Sequence, residues 1–312
     1  MKHDTLLGQF RTMVLIRRTE ETLSAMFAAG EVPGFIHVSI GQEATAAGLC
    51  SVLRQTDTVA SNHRGHGHAL AKGLGVDDLF REILGRGGGS CKGRGGSMHV
   101  ADFSVGMLGA NGIVGAGVPI AAGSALALKA REDGSIAVAF FGDGSLAEGV
   151  MHETLNIAAL WKLPILFVCE NNGWAEFSRA SDQIVFKPTS LAAVYGLPAR
   201  TVDGNDVEAV AEAAEALTTP IRAGEGPAFL ECLTTRFHGH FEGDPQRYRG
   251  KDDIAEVTAR DPLLLFRSRH EDLAAALDEI DAEVTAQVER AAAAARQDAE
   301  PDFASARDAV YA

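Results

Sequence analysis

The chain has 312 residues, 46% of them hydrophobic and 22% charged, which supplies a sizeable core and excludes both a miniature scaffold and wholesale disorder. Acidic residues outnumber basic ones, 42 to 28, and a formal charge of -14 repels nucleic-acid backbones and anionic membranes at long range, so neither is an expected partner. Cys50, Cys91, Cys169 and Cys232 form no CxxC pair, MKHDTLLGQF lacks an apolar signal core, and the apolar stretch at Val118 to Ala130 is too short to span a bilayer; a soluble protein of the reducing cytoplasm is expected.

Apolar side chains at helical spacing over residues 4–29 (Leu6, Phe10, Met13, Val14, Leu23, Phe27) predict a helical N-terminal arm closed by Gly30. Helix-like segments from 41 to 86 surround a short extended piece at Thr58 to Ser61, and the glycines between Gly85 and His99 predict loop. Apolar runs at Ile136 to Phe141, Pro164 to Cys169 and Ala228 to Cys232 alternate with helix candidates at 116–130, 146–161 and 206–222, the pattern of a buried parallel sheet flanked by helices. Past Tyr248 the composition shifts to Ala, Glu, Asp and Arg. Asp261-Pro262 makes a helix start, and 275–298 reads as a long exposed or partner-facing helix. An α/β domain over 1–250 with a helical C-terminal extension over 251–312 follows.

The segment from Ile136 to Asn172 reads strand, glycine turn, helix, strand. A helix of about 15 residues rises about 23 Å, roughly the return needed to start a new parallel strand. Asp143 and Asn172 are therefore expected at the carboxyl ends of two strands of one βαβ unit, the edge where ligands bind in open parallel sheets. Gly142 and Gly144 let the backbone approach a phosphate, and a helix starting near Ser145 points free N–H groups at the same place. A bare carboxylate there opposes an anion: two like charges about 4 Å apart repel by about 4 kcal/mol at an effective dielectric of 20. A divalent cation between them removes the conflict, with oxygen ligands from Asp143, Asn172 and a backbone carbonyl in the octahedron Mg²⁺ prefers. GDG alone is a weak signal. GDG after an apolar strand, followed 29 residues later by the second Asn of ENN, is a strong one, and neither GxGxxG nor GxxxxGK[ST] competes.

His63, His66 and His68 in HRGHGH lack the i, i+4 spacing of a helical zinc site, and beside Arg64 they suggest a local basic pocket for diphosphate and reaction intermediates. His152 reads as packing or surface, and Met26, Phe27 and Leu263 to Phe266 as core or subunit interface. Glu43 in GQEA is a candidate activating carboxylate, with a helix N-terminal Glu as the preferred reading.

Through SIGQEA, HRGHGHALAKG, CKGRGGSMH, GANGIVGAGVPIAAG, GDG, ALWKLP, CENN and RFHGHFEGD, from about residue 8 to 265, the chain resembles the α subunit of the thiamine-dependent first component of 2-oxo acid dehydrogenase complexes. Within that family it is most like acetoin dehydrogenase α subunits, with pyruvate dehydrogenase α subunits close behind. The resemblance implies the thiamine diphosphate-binding fold, with thiamine diphosphate and Mg²⁺ as cofactors. It makes Asp143, Asn172 and the carbonyl of Trp174 the metal ligands, and puts Gly144 and Ser145 on the diphosphate. Gly112 and Val114 would hold the aminopyrimidine, His63 and Arg64 correspond to a Tyr-Arg pair at the diphosphate, and His66 and His240 match two active-site histidines, His240 also touching cofactor. Phe241 stands where mitochondrial pyruvate enzymes carry a regulatory serine.

The activating Glu lies on a separate β subunit in that family, so an α2β2 heterotetramer is implied. A lipoyl-bearing acyltransferase is the implied acceptor, and acetoin, pyruvate or a branched-chain 2-oxo acid the implied substrate. A transketolase-like carboligase and a binding protein without turnover are the alternatives. The segment His238 to Gly250 is expected to be a surface loop with few apolar anchors, in which His240 and Arg247 or Arg249 wait for an anion to order them.

Overall fold

The computed structural model describes residues 3–250, 253 and 257–308; the remainder of the C-terminal extension, 251–252, 254–256 and 309–312, lies outside the described residues. Eight strands occur among them: β1 (Thr58–Ala60), β2 (Met107–Gly109), β3 (Ala137–Gly142), β4 (Ile165–Asn171), β5 (Trp174–Ala175), β6 (Ser178–Arg179), β7 (Ala199–Asp203) and β8 (Ala228–Leu233). Six of them form one parallel sheet in the order β2-β1-β3-β4-β8-β7, while β5 and β6 make a small antiparallel hairpin. The helices are α1 (His3–Ala28), α2 (Glu43–Cys50), α3 (His66–Lys72), α4 (Val76–Ile83), α5 (Gly117–Arg131), α6 (Gly149–Leu160), α7 (Pro188–Val194), α8 (Val207–Arg222), α9 (Pro262–Arg269), α10 (Ala274–Gln297) and α11 (Phe303–Asp308).

Period-two alternation in the central strands divides the core. Ala137, Ala139 and Phe141 of β3 and Ile165, Phe167 and Cys169 of β4 face α5, α6 and α7, whereas Val138, Phe140, Leu166 and Val168 face α1, α2 and α8. Both faces are covered, which is why these strands read as unbroken apolar runs. The short strand at 58–60 and the arm ending before Gly30, at φ 76, lie where the sequence puts them. β2 and β7 are additions that their composition did not announce.

Two expectations are corrected. The helix starting near Ser145 is not continuous: a 3₁₀ turn spans Asp143–Ala147, Glu148 is extended, and α6 begins at Gly149. Glycines at 142, 144 and 149 propagate a helix poorly, so the backbone turns twice before settling. Second, α10 does not stand exposed or await a partner on its apolar face. Leu277, Val284, Val288, Ala291, Ala292 and Ala295 are buried, packed on α1 and α4. The small Ala side chains permit close approach to α1, and Arg18 donates to Asp281 across the seam at 2.8 Å. Helices past residue 250 thus share the core of the α/β domain.

At the amino edge of the sheet, Asp57 is fully buried and accepts from the N–H of Ile136 (2.9 Å), the N–H of Arg54 (2.6 Å) and Nη1 of Arg222 (2.8 Å). It joins the starts of β1 and β3 to the end of α8. Asp57→Ala leaves a half-buried guanidinium and a strand N–H uncompensated, and is expected to destabilise the fold by about 3–5 kcal/mol. Denaturant midpoints check this; a shift below about 1 kcal/mol would show that water replaces the carboxylate.

Candidate active site

Strands β3 and β4 run side by side with Gly142 opposite Glu170, so their carboxyl ends deliver Asp143 and Asn172 to the same edge. A cavity of about 510 Å³ opens there. Its wall contains His63, Arg64, Gly112, Val114, Asp143, Gly144, Ser145, Asn172, Trp174 and His240, residues that the sequence drew from five separate segments.

Asp143 is 1% exposed, and neither carboxylate oxygen has a hydrogen-bond partner. Burial pushes its pKa up to about 7, against the pull of the backbone N–H groups of Asp143, Asn172 and Gly173, which lie near the carboxylate without reaching hydrogen-bond geometry, and of Arg236. Asn172 is held in a fixed orientation: its Nδ2 donates to Gln42 Oε1 at 3.0 Å, and its Oδ1 accepts from the Trp174 N–H at 3.0 Å. The amide oxygen keeps a second lone pair. Gln42 is placed by Gly41, at φ 97, where any β-carbon would collide with the Phe237 ring and the Thr235 carbonyl. A buried carboxylate with both oxygens free beside an oriented amide oxygen is a donor set suited to a hard divalent cation.

A second wall carries three imidazoles, His37, His63 and His240, with ring centroids 4.8 to 5.2 Å apart. Burial, reinforced by the Arg64 guanidinium, lowers all three: His37 to about 3, His240 to about 4, and His63 well below its ordinary value. At neutral pH they are uncharged imidazoles. Arg64 is buried between them, donating to the carbonyls of Val38 (2.7 Å) and His240 (2.5 Å). Burial and the facing Arg236 lower it to about 9, which leaves it charged. Arg236 donates to Tyr248 Oη at 2.9 Å, and its buried Nε has no partner.

His66 is the predicted site residue that the fold does not bring to the cavity. It is the first residue of α3 and fully buried, with Nδ1 2.9 Å from Glu20 and Nε2 2.8 Å from Ser97, so both ring nitrogens are engaged behind the wall. His68 is turned inward too, between Ser61 and Glu170, which separates the three histidines of HRGHGH. Glu43 is the first residue of α2, buried on Arg17 and the Gly41 N–H, away from the cavity. His152 contacts the Leu146 carbonyl.

His37, Gln42, Glu170 and Arg236 line the cavity without having been singled out in the sequence. Their one local signal was proximity to the GQEA, ENN and RFHGH blocks. The His238 to Gly250 segment also differs from expectation. Asp244 accepts from the N–H of His240 (2.7 Å), the N–H of Gln246 (2.9 Å) and Tyr248 Oη (2.6 Å), and Arg249 donates to the carbonyls of Phe237 and His238. The segment has its own polar anchor, and Arg249 is already occupied by carbonyl oxygens without an external anion.

The raised Asp143 pKa has a definite sign in stability. Relative to the unfolded chain, the folded chain holds this proton more tightly, so the contribution is full below the ordinary aspartate range and is lost as pH rises toward about 7. Asp143→Asn should therefore stabilise the cofactor-free chain at pH 8 by roughly 2–4 kcal/mol. The gain should vanish toward pH 4. Denaturant melts across that range check it, and a pH-independent difference between the two proteins would contradict it.

The model of the dehydrogenase E1 component family matches residues 11–304. The acetoin:2,6-dichlorophenolindophenol oxidoreductase α subunit of Cupriavidus necator is 46% identical over 309 residues, covering 96% of this chain and 91% of the relative. The Bacillus subtilis protein of the same description is 44% identical, covering 93% and 89%. The pyruvate dehydrogenase E1 component α subunit of Rhizobium meliloti is 40% identical, covering 95% and 87%. With a match spanning both the helical arm and the strand edge that carries Asp143 and Asn172, the chain belongs to the dehydrogenase E1 component family.

Proposed function

We propose that the chain is the α subunit of a thiamine diphosphate-dependent dehydrogenase that cleaves acetoin and passes the acyl unit to lipoamide, with pyruvate or a branched-chain 2-oxo acid as the alternative substrate. The observation that carries this reading is the buried Asp143 carboxylate with both oxygens free, beside an amide oxygen fixed by Gln42. Asp143, Asn172 and the Trp174 carbonyl would hold Mg²⁺. Gly144 and Ser145 lie on the 3₁₀ turn, where backbone N–H groups suit a diphosphate, and His63 and Arg64 stand on the cavity wall for the same anion. Gly112 and Val114, also on the cavity wall, would make main-chain contacts to the aminopyrimidine. When bound, thiamine diphosphate supplies an electron sink for breaking a carbon–carbon bond beside a carbonyl.

The protein's own groups do the rest. His37, His63 and His240 remain neutral at physiological pH and are placed to hydrogen-bond a substrate oxygen, with His240 fixed through its carbonyl by Arg64 and through its N–H by Asp244. His66 acts behind them, tying Glu20 of α1 to Ser97 of the glycine-rich loop. Glu43 is engaged with Arg17, which supports the family arrangement in which a β subunit supplies the activating carboxylate. An α2β2 assembly, a lipoyl acyltransferase acceptor and a cytoplasmic location complete the proposal; among the described residues no helix is long and apolar enough to cross a membrane.

The purified chain is expected to turn over neither acetoin nor pyruvate alone and to reduce dye when mixed with its β partner. Asp143→Ala should abolish Mg²⁺-dependent cofactor binding in calorimetry, and Asn172→Ala should weaken it less, since a neutral amide contributes less to a divalent ion. Unchanged affinity in Asp143→Ala would overturn the metal assignment, and substantial turnover by the chain alone would overturn the division between subunits.

A further inference from the structure

A second cavity, of about 140 Å³, shares Asn172, Trp174 and Arg236 with the first. Four arginines line it, Arg179, Arg236, Arg249 and Arg260, together with the hydroxyl-bearing Thr234 and Thr235 and, among the described residues, a single carboxylate, Asp253. Two of the arginines are compensated. Arg179 pairs with Asp253, and Arg260 pairs with Asp203 at 2.8 Å.

The other two are not. Arg236 and Arg249 are 3% and 9% exposed, and among the described residues they bond only to neutral oxygens. Arg236 Nη2 donates to Tyr248 Oη and the Glu176 carbonyl; Arg249 Nη1 donates to the carbonyls of Phe237 and His238 and to Gln246 Oε1. These contacts use one Nη of each guanidinium. The buried Nε of each has no partner, and the second Nη of each makes no hydrogen bond among the described residues. Asp244, whose charge both arginines feel, spends its oxygens on the N–H groups of His240 and Gln246 and on Tyr248. Burial and the neighbouring Arg249 lower the pKa of Arg236, and burial and the neighbouring Arg179 lower that of Arg249. A guanidinium keeps its proton at neutral pH, so like charges with unused donors stand together in a half-dry wall, a cost that a bound anion removes.

The donors arrive from four places: Arg179 on β6, Arg236 just past β8, Arg249 at the end of the His238 to Gly250 segment and Arg260 ahead of α9. Thr235 accepts from Asn205 Nδ2 at 2.9 Å and keeps its own hydroxyl proton to donate. Such divergent donors suit the four oxygens of a tetrahedral anion better than the two of a planar carboxylate. We propose that the second cavity is a binding site for a small tetrahedral oxyanion of the phosphate class, separate from the wall that faces the diphosphate. This goes beyond the function proposed above and does not depend on it. Occupied, the site would fasten the β5–β6 hairpin, the His238 to Gly250 segment and the start of the C-terminal helices to the end of β8.

The test titrates the full chain with inorganic phosphate in a calorimeter at constant ionic strength, without and with excess thiamine diphosphate and Mg²⁺. Saturable binding at about 1 mM or tighter is expected, and it should persist when the cofactor is in excess. Arg179→Gln and Arg260→Gln should each weaken it roughly tenfold or more. Their side chains are 48% and 32% exposed, so both variants should keep the wild-type circular dichroism. Acetate at the same ionic strength should bind at least tenfold more weakly than phosphate. Absence of saturable phosphate binding, loss of all of it to the cofactor, or unchanged affinity in both variants would overturn the site, and acetate binding as tightly as phosphate would overturn the tetrahedral class. A chain that binds no thiamine diphosphate would count against the proposed function, with the two arginine variants still deciding the anion site.

Discussion

A carboxylate removed from water and given no partner is the constraint around which this structure is arranged. Asp143 lies between two glycines at the end of a central strand, where burial raises its pKa to about 7 and leaves both oxygens free. A fold maximising stability alone would fill that position with an apolar or hydrogen-bonded residue. Its persistence makes sense if a cation completes it, and the surroundings agree: β4 brings Asn172 alongside, Gln42 fixes the amide, and Gly41 allows Gln42 to reach it. The electrostatic cost and the binding capacity are the same feature.

Buried ionic groups elsewhere act as fasteners for segments whose composition gives little packing. Glu82 is fully buried at the end of α4, and its two oxygens accept backbone N–H groups from Cys91, Gly93, Gly95 and Gly96. One carboxylate thus organises the glycine-rich loop, which carries few side chains of its own. Glu20 and His66 fasten the far end of that loop through Ser97. The consequence for function is positional: Met98, the next residue, lines the cavity. Removing one member of such a network leaves the other buried and unpaired, so these groups rigidify the site even where they never touch a ligand.

The sheet and the juxtaposition of Asp143 with Asn172 were legible because each rests on a local pattern. Unbroken apolar runs ending in GDG and ENN specify adjacent parallel strands, and adjacency alone brings Asp143 to Asn172. β7 was not legible, since its residues, Ala199 to Asp203, form an exposed polar edge with no apolar run. The fate of HRGHGH was equally hidden: a helix starting at His66 rotates it and His68 into the interior while His63 stays on the cavity wall. His37 and Arg236 belong to the site because the chain returns to it from distant loops, and their one local signal is that they border or open the GQEA and RFHGH blocks. The His238 to Gly250 segment looked unanchored because an apolar count overlooks a carboxylate such as Asp244, which gathers two backbone N–H groups and a tyrosine.

Whether the unpaired Asp143 carboxylate is one corner of a divalent cation site is decided by a crystal structure grown with thiamine diphosphate and Mn²⁺ as an anomalous stand-in for Mg²⁺. An anomalous peak is expected within direct coordination distance of Asp143, Asn172 Oδ1 and the Trp174 carbonyl, about 2.1 Å for Mg²⁺ itself. A peak bound elsewhere in the cavity, with Asp143 still lacking a partner, would contradict it.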